Sequence, residues 1–160
     1  MRVEKLAFEV GRSIARLEKR ALSDQYIAEA TSHESPILNR IIQHAGIGAI
    51  GAGVGFGTHA ALQRDATVAK VIAAALKGAH KGGWAGTGTG VLHGSFDAGL
   101  TRGVHDTKEP STLRSGLASG LVLPFSGVPG VRPLPAGLLG ALAAEVGERH
   151  GVSARHRFGG

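Results

Sequence analysis

The apolar positions of the first 22 residues fall at alternating spacings of four and three. Val3, Ala7, Val10, Ile14, Leu17 and Ala21 form one stripe with Leu6 beside it, and Glu4, Arg12, Arg16, Glu18, Lys19 and Arg20 lie opposite. This pattern predicts an amphipathic helix over residues 2–22, with Val3, Leu6, Val10, Ile14 and Leu17 as its docking face. Three heptads are the minimum for a coiled-coil seam, so the stripe can serve its own domain or a second chain. Gly11 weakens the helix by about 1 kcal/mol. Ser23 and Asp24 cap a second short helix running to about residue 31. Ser35-Pro36 reads as the N-cap and first residue of another, which continues through Ile37, Leu38, Ile41 and Ile42.

The pattern changes at Gln43. No formal charge occurs between Arg40 and Arg64, and the middle of that stretch alternates glycine with Ala, Ile, Val and Phe56. Its length suffices for a membrane span, which needs about 20 predominantly apolar residues. Glycine keeps its hydropathy low, and Gln43, His44, Thr58, His59 and Gln63 soften its ends. A more regular helix is predicted from Asp65, with Ala66, Val68, Ala69, Val71, Ile72, Ala73, Ala75 and Leu76 as apolar positions. Lys70 and Lys77 can hold their charges away from that surface.

Glycine then recurs every fourth residue at Gly78, Gly82, Gly86, Gly90 and Gly94. The same spacing joins Gly99 to Gly103 and Gly51 to Gly55, and returns at Gly53/Gly57, Gly116/Gly120 and Gly147/Gly151. On a helix, residues four apart stack on one face. A glycine row leaves a groove into which a second backbone can descend, gaining dispersion and weak Cα–H···O contacts. Each glycine costs about 0.8–1.0 kcal/mol relative to alanine, so such a helix needs a close neighbour or lipid. The candidate helix-packing residues are Gly51, Gly55, Gly78, Gly82, Gly86, Gly90, Gly94, Gly99 and Gly103. The competing reading is extended chain, because 51–57 and 86–90 also alternate with a period of two. Gly46 to Gly51 matches G-x-G-x-x-G literally, but no strand precedes it and no P-loop Lys-Ser/Thr pair follows.

Residues 106–115 read as a polar linker. The stretch 115–131 is uncharged, and Pro124, Gly127, Pro129, Gly130, Pro133 and Pro135 make its second half irregular. A short helix is predicted over 136–148, with a loose tail from Val152. Three segments result: an amphipathic docking part at 1–40, glycine-zipper helices at 41–105 with a hairpin near Arg64-Asp65, and a linker with a Pro/Gly-rich part and short helix at 106–160. The fold class is mainly α.

Composition sharpens this picture. Glycine supplies 26 of the 160 residues, against an ordinary share of about 7%, and large aromatic anchors are few. No Gly-X-Y period exists, which excludes collagen. Cysteine is absent, which excludes disulfides, thiolate catalysis and Cys-based metal sites. Charges at Glu4, Lys5, Glu9 and Arg12 argue against a secretory leader. The net charge of +6 is spread thinly, allowing weak non-specific nucleic-acid contact but forming no dense basic arm.

Candidate chemistry is sparse. His44, His59, His80, His93 and His105 include no pair at the i, i+4 spacing of a helical metal face. His93 and Asp97 are four apart, which reads as local support. Ser119 in Gly-Leu-Ala-Ser-Gly is not at the centre of a nucleophile elbow. No catalytic residue, cofactor, metal or small-molecule substrate is expected, and an enzyme ranks last among the function classes.

The opening Glu4-Lys5-Leu6-Ala7-Phe8-Glu9-Val10-Gly11, with Ala15, Glu18-Lys19 and Ala21, resembles the start of small virion proteins of tailed bacteriophages. The charged helix followed by Gly/Ala-rich segments is similar in style to internal or ejection proteins of such particles. The resemblance implies a structural virion component that forms homo-oligomers and meets other virion proteins, with contact to or insertion into host membrane lipid during DNA delivery as its extension. The expected location is the virion, and the host membrane on infection. Two other readings stand beside it: a bacterial envelope membrane protein of glycine-zipper type, and a soluble partner-binding protein whose glycine runs are loops.

Overall fold

The computed structural model describes residues 36–108, 111–127 and 129–158. The expected helices at 2–22 and 24–31, with the docking face Val3, Leu6, Val10, Ile14 and Leu17, lie outside the described residues. The rest is a mainly α chain: α1 (Pro36–Ala61), α2 (Val68–His105), α3 (Ser111–Val122), a 3-10 turn (Leu123–Phe125) and α4 (Pro133–Phe158).

Local chemistry sets the boundaries. Pro36 opens α1, where its missing N–H is not needed. α2 begins three residues later than Asp65, because the Thr67 hydroxyl oxygen accepts from the Lys70 N–H at 3.3 Å and acts as the cap. It ends at Asp106, which adopts a left-handed conformation (φ 54°). The polar linker expected at 106–115 is shorter, because α3 begins at Ser111. α3 occupies the first half of 115–131, and the chain reverses through Gly127 and Gly130, both at positive φ.

The last helix is twice the expected length and corrects both of its expected ends. Pro133 and Pro135 fall in its first turn, where proline is tolerated. The tail from Val152 is helical rather than loose: Gly151 and Ala154 are buried, and Arg155, His156 and Arg157 sit favourably at the negative end of the helix dipole.

α2 is the spine. α1 folds back along it antiparallel, so that Gly94 meets Ile37, Gly86 meets His44 and Gly78 meets Ala52. α4 runs parallel to the end of α2, with Gly99 against Ala144 and Gly103 against Glu148 and Gly151. Ion pairs Arg102–Glu148 (3.3 Å) and Arg155–Asp106 (3.2 Å) edge that contact. α3 lies antiparallel to α4 and the 3-10 turn reaches Gly88 through Leu123 and Ser126.

Candidate functional site

The helix contacts are made by the smallest residues. A Cβ at Gly82 would overlap the Gly48 carbonyl oxygen, and one at Gly48 would overlap that of Gly82. Added Cβ atoms at Gly78, Gly86 and Gly90 would likewise strike the carbonyl oxygens of Ala52, His44 and Arg40, and one at Gly94 the Ile37 Cα. Gly99 and Gly103 play the same part toward α4, at the carbonyls of Ala144 and Glu148. From the other side, Gly147 and Gly151 abut the Phe96 and Leu100 carbonyls. Backbone therefore lies on backbone along most of α2, the arrangement that small-residue faces permit.

Gly51 and Gly55 behave differently. Nothing lies within 4 Å of where a Cβ would stand at either, and both are exposed. On α1 the glycines that meet α2 are Gly48, Gly53 and Gly57 instead, Gly53 against Ala75 and Ala79 and Gly57 against Ala75. Beside Gly55, a shallow concavity of about 380 Å³ is lined by Ala52, Gly55, Phe56 and His59.

The hairpin encloses a polar cluster that sequence spacing did not reveal. Arg40 Nε donates to Asp97 Oδ2 at 2.6 Å, and Arg40 Nη1 donates to Gln43 Oε1 at 2.8 Å. The Asp97 side chain has no exposed surface and that of Arg40 is 6% exposed. His44 Nε2 and His93 Nδ1 share a hydrogen bond of 2.8 Å, with the rings edge to face. His93 Nε2 stands 3.9 Å from Asp97 Oδ1, consistent with the local support expected of that pair. The partners are 57 and 49 residues apart, so no local motif could announce them. One signal was present: Asp97 is the sole charge between Lys81 and Arg102, and Arg40 is the last before an uncharged run.

The cluster ties α1 to α2 through a buried guanidinium–carboxylate pair and a part-buried histidine pair. Among the described residues, no three His, Cys, Asp or Glu side chains converge as metal ligands would.

The outside of the molecule is the complement of this interior. Among the described residues, twenty large apolar side chains are exposed, while the buried large ones are Val91, Leu100 and Leu123. Ser95, Ser111, Ser115 and Ser119 are buried with hydroxyls lacking hydrogen-bond partners, and α3 meanwhile turns Leu113, Leu117 and Leu121 outward. α4 does the same with Leu134, Leu138, Leu139 and Leu142. Monomeric soluble proteins rarely expose apolar patches beyond a few hundred Å², so this outer surface is the candidate site. Among the described residues, no helix is long and apolar enough to cross a membrane. Comparison of the chain with family models, curated proteins and solved structures returns no match.

Proposed function

We propose that the protein is a structural, self-assembling component that acts by packing against copies of itself and other chains, not by catalysis. The observation that carries this reading is the inverted distribution of side chains among the described residues: glycine, alanine, serine and an ion pair fill most of the interior beside Val91, Leu100 and Leu123, while twenty large apolar side chains lie outside. Burying one such aliphatic side chain is worth about 1.5–3 kcal/mol, and among the described residues most of that gain is left for contacts outside the described helices. A glycine-zipper interior fits this role, because it holds a helix bundle together without using the large apolar residues. A virion component of a tailed phage, the setting implied by the N-terminal resemblance, is one in which such surfaces would be covered by neighbours.

Light scattering on the full chain, purified in detergent-free buffer and measured across a dilution series, tests the reading. The expected result is a discrete oligomer that dissociates on dilution or with mild detergent. A monodisperse monomer at every concentration would overturn it.

A further inference from the structure

The antiparallel helices α3 and α4 form a layer with two unlike faces. Their contact line runs through Gly116 and Gly120 on α3 and through Pro133, Gly137 and Ala141 on α4. Ser115, Ser119, Ala136 and Gly140 each stand one residue before a contact position, and all four are buried. Leu117, Leu121, Leu134, Leu138 and Leu142 each stand one residue after, and all five are exposed, as is Leu113 one turn before Leu117. One residue is about 100° of helix, and in an antiparallel pair that step past the contact line turns both rows to the same side. The same contacts set Leu113 level with Leu142, Leu117 with Leu138, and Leu121 with Leu134. The result is an array of two rows of three leucines, about 12 Å long, in which every member is 60% to 78% exposed. No charged residue stands among them. Arg114 lies at one edge, exposed Phe125 beyond one end, and the Glu145–Arg149 ion pair continues the outer side of α4 beyond the other.

We propose that this array is a two-fold interface, on which a second copy of the chain lays the same six leucines, so that two α3–α4 pairs close into a four-helix bundle. The proposal rests on the self-assembly reading and names the surface that carries it. Shape favours a copy as the occupant. Because the two rows match in length and level, a two-fold axis lying in the plane of the array sets leucine rows on leucine rows with none left over, and the contact is self-complementary as a dimer of identical chains requires. Area supports the same choice. Burying a leucine removes about 60–120 Å² from water, so six that are about two thirds exposed offer on the order of 400 Å². Apolar atoms supply about 65% of a homodimer interface, so this corresponds to about 600 Å² per partner, which reaches the range of stable interfaces. The surroundings fit as well: an uncharged centre edged by Arg114, Glu145 and Arg149 has the apolar core and mixed polar rim of a protein contact.

Mass measurement by sedimentation on the full chain and on L117E/L138E tests it. The two positions are at the centre of the array and each change counts on both copies, so the variant should weaken pairing at least about a thousandfold and halve the copy number. L117M/L138M, which stays apolar at similar volume, should keep the wild-type mass. A second measurement does not depend on the fate of the glutamate variant. The chain has no cysteine, so L117C/L138C treated with a short bis-maleimide should give covalent dimers wherever the wild type is associated. A wild type that is monomeric at every concentration would overturn this interface and the self-assembly reading together. An oligomer that keeps its full mass in L117E/L138E, has an odd copy number, or yields no covalent dimer from L117C/L138C would overturn the interface alone. In that case residues 1–35, a lipid surface or a different protein covers the leucines, and the copies meet elsewhere.

Discussion

At the scale of single residues, glycine has two opposite meanings in this chain, and the difference is measurable. At Gly82 a methyl group would enter the Gly48 carbonyl oxygen, and neither atom belongs to a side chain that can rotate away. Gly82→Ala must therefore part the helices locally, with an expected loss of about 1–3 kcal/mol typical of overpacking. At Gly51 the same substitution meets open space. It should gain up to about 1 kcal/mol of helix propensity. Chemical denaturation of the two variants beside the wild type checks the sign of each. A destabilised Gly51→Ala would mean that Gly51, too, sits against a neighbour, which must then lie outside the described residues. Spacing alone could not separate these cases: Gly51/Gly55 and Gly53/Gly57 satisfy the four-residue rule equally. Which pair faces inward depends on how the two helix axes cross.

At the scale of elements, the mainly α class and the break between α1 and α2 were legible because the glycine rows, the Pro36 start and the charged Arg64-Asp65 pair all agree with one another. The C-terminal part was less legible. Proline and glycine were read as breakers, yet Pro133 and Pro135 entered the first turn of a 26-residue helix, and Gly137, Gly140, Gly147 and Gly151 are contact points within it. The hairpin's polar fastening was not legible at all, since Arg40 and Asp97 meet only after α1 has folded onto α2. That pair supports a prediction about register. Removing one partner, as in Asp97→Leu or Arg40→Met, leaves the other group buried and should destabilise the hairpin by about 3–5 kcal/mol. The double variant Arg40→Met/Asp97→Leu should recover much of that loss, because no lone charge then remains. A thermodynamic cycle of urea unfolding measures the coupling. Additive losses would show that the contact seen between Arg40 Nε and Asp97 Oδ2 contributes nothing specific.

At the scale of the whole molecule, the ordinary relation between burial and stability should be reversed. In a water-soluble monomer, trimming a buried aliphatic residue is expensive and trimming an exposed one is nearly neutral. Here Leu138 is 67% exposed on α4, with Leu134, Leu139 and Leu142 exposed on the same helix. If other chains cover this surface, stability belongs to the assembly and depends on protein concentration, because anything that binds only the folded state raises its apparent stability by mass action. The wild-type Tm should rise with concentration. Leu138→Ala/Leu142→Ala should lower the Tm by several degrees where the protein is concentrated, and leave it unchanged once dilution has separated the copies. Gly82→Ala acts within one chain and should lower the Tm at both extremes. Differential scanning calorimetry on the three proteins over about a hundredfold range of concentration distinguishes the two behaviours. A Tm that is flat with concentration for the wild type, together with a leucine variant of unchanged stability throughout, would mean that these side chains face water in the working protein and that the inverted interior has another purpose.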